Sequence, residues 1–187
     1  MKRILPCIML LCLIICGCKG SDDHMIKALE LRSRLSASGG TSFRANVTAD
    51  YGDKTYTFIL QCKTDQPGTL SFTVLEPESI AGIGGTVSGE GGKLTFDDKV
   101  LAFPLLADGE VSPISAPWIV IKTLLGGYIS SCSKEDELLL ISIDDSYEAD
   151  ALRLDIWLNT QDIPVSADIL WQGRRVLSVQ IEDFTFL

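Results

Sequence analysis

Histidine is almost missing: His24 is the only one in 187 residues. A Ser-His-Asp or Cys-His arrangement would have to use that one imidazole, close to the N-terminus. Cysteine is equally sparse beyond residue 18, where only Cys62 and Cys132 occur, far apart in the chain. Their spacing fits no metal-binding pattern and specifies no disulfide, so a bridge between them stays open. Basic residues are outnumbered, 16 Lys and Arg against 25 Asp and Glu, for a net charge of −9. That balance disfavours nucleic acid, which needs clustered Lys and Arg, and argues against electrostatic capture by anionic headgroups. Phosphate-binding loops are missing too. The glycine-rich stretch 77–92, PESIAGIGGTVSGEGG, has no G-x-G-x-x-G, because Gly82-x-Gly84 is followed by Val87. Gly92-Lys93 runs into Leu94 rather than Ser or Thr, with Val87 where a P-loop glycine belongs. The acidic pairs Asp97-Asp98 and Asp144-Asp145 fall where turns are expected. Together these absences read as a non-catalytic protein with no metal and no cofactor.

What is present begins at the N-terminus. Lys2 and Arg3 precede the apolar run ILPCIMLLCLII at 4–15. The run falls short of the roughly 20 residues that span a bilayer, and with small residues after it reads as a secretory signal. Ile15-Cys16-Gly17-Cys18 resembles the lipobox of bacterial lipoproteins, in which an aliphatic and a small residue precede a cysteine. The resemblance implies that residues 1–17 are removed and that Cys18 becomes the first residue, with a diacylglycerol on its sulfur. Two acyl chains hold a protein stably on a membrane where one is marginal. The expected location is the cell envelope, on the outer face of the cell membrane or on an outer membrane where one exists. Residues 18–23 then form the lipidated cysteine and a short tether, reaching under about 20 Å at roughly 3.5 Å per residue. Residues 24–187 are enough for one domain with a core.

Along that domain the hydrophobic period changes twice. Asp22 and Asp23 are placed to cap a helix starting near His24, with Met25, Ala28, Leu29, Leu31 and Leu35 as its apolar stripe. Ser38-Gly39-Gly40 ends it. Period 2 follows at Phe43–Ala49, Tyr56–Cys62 and Leu70–Val74, separated by turn residues: an antiparallel meander. The glycine-rich stretch carries a short strand near 85–88, and Lys93–Phe96 with Lys99–Phe103 suggests a further hairpin. A second helix is expected over Pro113–Tyr128, with Ser115 as cap and Pro117 in the first turn. Trp118, Ile119, Val120, Ile121, Leu124 and Leu125 leave it almost no polar face, so it must be buried on more than one side. Strands return at 137–143, 152–158, 165–171 and 176–186, with a parity switch that implies a bulge near Glu182-Asp183. About ten antiparallel strands must curl, split or close.

Taken together, the N-terminal helix, the meander from Phe43 and the apolar helix Trp118–Leu125 resemble the LolA/LolB-type lipoprotein carriers. So does the ending, Asp162-Ile163-Pro164-Val165, Ala167–Trp171, Arg174–Ile181 and Phe184-Thr185-Phe186. The resemblance implies a mainly β, α+β fold: a curved antiparallel sheet forming an unclosed half-barrel, with both helices on its concave face. Some members of that group carry acyl chains or lipids; others sense envelope stress or act as scaffolds in spore germination. Two functions therefore stay open. The first is binding of a lipid, acyl chain or other apolar ligand by Tyr56, Phe58, Leu60, Phe72, Phe96, Phe103, Leu154 and Ile156, beneath Trp118, Ile121 and Leu125. The alternative is a scaffold or regulator acting through an envelope protein. Trp157, on the polar parity of its strand, is the candidate contact for that partner.

Overall fold

The computed structural model describes residues 19–66, 68–89, 91–95, 111–148 and 150–187, of which 19–22, 66 and 91–95 are described as backbone only. Among these residues ten strands form one antiparallel sheet. They are β1 (Thr41–Asp50), β2 (Thr55–Gln66), β3 (Thr69–Glu76), β4 (Gly84–Ser88), β5 (Gly91–Thr95), β6 (Tyr128–Glu135), β7 (Leu138–Asp144), β8 (Arg153–Leu158), β9 (Pro164–Trp171) and β10 (Arg174–Phe186). Their lateral order is β5-β4-β3-β2-β1-β10-β9-β8-β7-β6. Two meanders thus meet at β1 and β10, which pair from Thr41↔Phe186 to Ala49↔Leu177. Helix α1 is Lys19–Ala37 and helix α2 is Ala116–Gly126.

The edge strands β5 and β6 do not pair with each other, so the sheet is an open half-barrel. Its curvature follows from α2, which touches β3, β7, β9 and β10. β3 and β7 lie six places apart in the sheet. Flat, at about 4.8 Å per strand, they would stand roughly 29 Å apart. An eleven-residue helix is only about 16 Å long, so the sheet must wrap around it. The alternation that sets this up is legible in β1, where Phe43, Ala45, Val47 and Ala49 face the core and their neighbours face out.

Several expectations are corrected. Helix α1 starts at Lys19 rather than near His24, so residues 19–23, read as an extended tether, are its first turns, and Asp22 and Asp23 sit within it. Of its expected stripe only Ala28, Leu31 and Leu35 are buried; Leu29 is 50% exposed. Ser115 stands at the N-cap position of α2, as expected, but its side chain makes no capping bond to that helix. Ser112 instead caps the 3₁₀ turn Pro113–Ser115 that leads into α2: its side chain accepts from the Ser115 N–H while the Ser115 side chain accepts from the Ser112 N–H. Strand β6 carries no apolar alternation and was not expected. The proposed strand at 99–103 lies outside the described residues.

The bulge near Glu182-Asp183 is present. Between Ser42↔Thr185 and Arg44↔Glu182 β10 carries one extra residue, and Asp183 adopts φ 53°. The bulge returns Phe184 and Phe186 to the core side, where Phe184 stacks on Phe43 at 5.6 Å and meets Phe186 edge-on at 5.3 Å. Arg34 covers the Phe186 ring at 4.4 Å.

Candidate functional site

The expected ligand-binding residues fall into three groups. Phe58, Leu60, Phe72, Ile121, Leu154 and Ile156 are buried and belong to one continuous core. Tyr56, Trp118 and Leu125 sit at its rim. The Trp118 indole N–H donates to the Gly68 carbonyl at 3.1 Å, and the Lys122 ammonium lies 5.2 Å from its ring. Tyr56 is 45% exposed and meets Tyr51 edge-on at 5.4 Å. Phe96 and Phe103 lie outside the described residues, as does Cys18.

Between the two helices and the sheet lies a pocket of about 20 Å³, lined by Leu35, Ser38, Gly40, Thr41, Thr64, Ile121 and Leu125. That is room for about one water. Thr41 and Thr64 close its polar side, with hydroxyls 2.9 Å apart and the Thr41 N–H donating to the Thr64 hydroxyl at 2.7 Å.

Larger hollows lie outside the core, at one end of the half-barrel. That end gathers the Tyr51 turn, the start of β2, the 145–152 loop, the β9–β10 turn and the start of β6. The strand registers bring these together: Ala49 pairs with Tyr56 and with Leu177, Arg153 with Leu170 and Asp144, and Tyr128 with Asp144. All four tyrosines of the chain are there. Tyr128 and Tyr147, 5.4 Å apart, are 52% and 88% exposed. Beside them Met25, Leu29 and Arg32 of α1, Gly126–Ile129 and residues 145–148 line an open cleft of about 660 Å³. Arg32 also holds the end of α2: its Nε donates to Leu124 O at 2.7 Å and its Nη2 to Gly127 O at 2.8 Å. Those carbonyls would otherwise lack intrahelical partners. Burial pulls the Arg32 pKa below its usual value, but guanidinium stays charged.

Trp157 projects from the outer face of β8, across from Leu140 and Ser166. It is half-buried, and its indole N–H donates to the Glu135 carboxylate at 2.8 Å. β8 lies inside the sheet rather than at its edge, so the ring stands on the outer face of the half-barrel.

Solved structures similar to this chain were found at low identity. One is an outer membrane lipoprotein-sorting protein domain from Vibrio parahaemolyticus, 9% identical, covering 88% of this chain and 92% of that one at a TM-score of 0.49. Another is a LolA superfamily protein from Nitrosomonas europaea, 10% identical, covering 86% and 93% at a TM-score of 0.44. A third is a chain in the complex of the CwlD amidase with the GerS lipoprotein from Clostridioides difficile, 13% identical, covering 90% and 98% at a TM-score of 0.46. The first two carry names from the group the sequence resembles; TM-scores under 0.5 decide nothing about ligand, partner or chemistry. No family model matches the chain. Neither does any curated protein.

The chemistry available is limited. Among the described residues no group of three or more His, Cys, Asp or Glu side chains could hold a metal. Asp144 is held by Arg153 at 2.8 Å, which raises the Arg153 pKa, and Asp145 accepts from the Leu152 N–H at 2.9 Å. His24 borders a shallow hollow with Lys27, Lys134 and Asp162. Cys62 and Cys132 are both free thiols. The position of Trp157 was legible from its parity. The tyrosine end was not, because it assembles from five separate turns and strand ends.

Proposed function

We propose that this chain is a membrane-anchored, non-catalytic envelope lipoprotein, held by a diacylglycerol on Cys18, whose half-barrel is a solid scaffold presenting its outer face to an envelope protein. The observation that carries the reading is the close seating of α2 among its neighbours, with Ile119, Val120, Ile121 and Leu124 all buried. Pockets for small ligands run to roughly 300–1,000 Å³, against about 20 Å³ for the pocket beside Leu35, Ile121 and Leu125. Admitting an acyl chain would require α2 to leave the sheet and expose Ile119, Val120, Ile121 and Leu124, all now buried. At about 1.5–3 kcal/mol each, that costs roughly 6–12 kcal/mol. The scaffold reading needs no such movement, and Trp157 supplies an aromatic contact on the outer face.

The test is photo-crosslinking in the native host from a photoreactive amino acid at position 157. The reading predicts one envelope protein captured from position 157 and not from the opposite, tyrosine end at position 56. Equal capture from both, or none from 157, would remove the support for an outer-face partner.

A further inference from the structure

We propose that the tyrosine end of the half-barrel rests on the bilayer to which Cys18 is attached, an inference that depends on the anchored-lipoprotein reading above. Helix α1 begins at Lys19, the residue next to Cys18, so no spacer separates the fold from its anchor. At about 1.5 Å per residue, Met25 lies roughly 10 Å and Leu29 roughly 16 Å along the helix from Cys18. A helix lying along the surface keeps both in reach of the headgroups. Of its sides, the one turned toward the tyrosine end carries Met25, Leu29 and Arg32, which share the cleft with Tyr128 and Tyr147. The side turned to the opposite end carries Lys27, paired there with Asp162 at 2.8 Å.

The composition of this end fits a lipid surface. Tyrosine has an apolar ring and a polar tip, and it concentrates where membrane meets water. Here all four tyrosines of the chain share one end, and Tyr56, Tyr128 and Tyr147 are exposed together with Leu29. Such exposed apolar groups are expected to be covered by something. Arg32 lies in the cleft with two of its five N–H donors spent on carbonyls. The others are available to a phosphodiester oxygen. Asp145 and Glu148 on the cleft rim, with the net charge of −9, favour zwitterionic over anionic headgroups. The outer face with Trp157 then stays free for a partner while the end of the barrel is occupied by lipid.

The test uses the full lipidated chain reconstituted in phosphatidylcholine vesicles whose acyl chains carry bromine as a short-range fluorescence quencher. Tryptophan is introduced at exposed positions, as Tyr147→Trp and Tyr56→Trp at the proposed contact and Thr160→Trp in the β8–β9 turn at the opposite end. Interfacial groups sit about 5–10 Å into the headgroup–acyl boundary, so the added emission at 147 and 56 should fall by roughly half, and that at 160 should not. Vesicles of phosphatidylglycerol should give weaker quenching at 147. If the chain floats with the vesicles but 147 and 56 are quenched no more than 160, the docking face is wrong while the anchor stands, and a protein occupant of the cleft becomes the better account. If the chain fails to float, as a Cys18→Ser variant should, the anchored reading itself falls and takes this inference with it.

Discussion

Two single positions bear unusual strain or burial, and each yields a measurement. Gly40 sits at φ +149° where α1 turns into β1, and a β-carbon there would overlap the carbonyl of Thr64. Gly68 also has positive φ, +100°, but faces open space. A left-handed backbone costs an ordinary residue roughly 1–3 kcal/mol. Gly68→Ala should therefore show that cost alone, whereas Gly40→Ala should show it plus the displacement of β2. Chemical denaturation of both variants is the check, and equal losses would mean that the close approach at Gly40 relaxes freely. Cys62 is a buried thiol whose pKa burial pushes well above its ordinary value. Its folded pKa is raised, so the folded state holds the proton that the unfolded chain releases near pH 8.5. Stability is then complete below that pH and falls above it, by at most about 1.4 kcal/mol per pH unit. Cys62→Ala should flatten this alkaline loss. In the native state an aromatic disulfide reagent should titrate Cys132 on the edge strand and spare Cys62.

Among the elements, α2 depends on a residue from α1. Arg32 supplies both partners for the carbonyls at the end of α2. Its removal leaves them to water in a half-buried place. Hydrogen bonds to charged groups contribute about 1.5–3 kcal/mol, so Arg32→Ala should lower stability by that order. Arg32→Lys, a point charge without the planar fork, should recover only part of it. A full recovery by lysine would reduce Arg32 to a general cation near a helix end. The elements also mark how far sequence reasoning reaches. Strands with one buried face, such as β1 and β8, announce themselves by alternation. β6, YISSCSKE, is a sheet edge with little to bury, so its pairing with β7 rather than its own composition makes it a strand. The start of α1 was read too late because Asp22 and Asp23 look like caps. The helix instead continues back to Lys19, and acids in its early turns suit the positive end of the helix dipole. Leu29 belonged to the expected stripe by spacing, yet it is half exposed on the open cleft beside Tyr128 and Tyr147, which no local pattern encodes.

For the molecule as a whole, the lateral order explains the half-barrel. Two meanders join at β1 and β10, and the connection between the far edges carries α2 across the concave face. The apolar run of α2 was legible as a helix buried on several sides. Whether it would cap a hollow or fill one was not, because volume depends on curvature and on how closely side chains interlock. Leu60, Phe72, Leu154 and Ile156 pack as core, and the pocket beside Ile121 and Leu125 has room for about one water. A half-barrel that acts as a scaffold works through its surface and carries no lipid beyond its anchor. The most direct test is native mass spectrometry, with organic extraction, of the lipidated chain purified from its own host. The account predicts the mass of the mature chain plus its covalent diacylglycerol modification, and no further lipid at stoichiometric amount. A lipid released in one-to-one ratio by extraction, with Cys18 still modified, would contradict it.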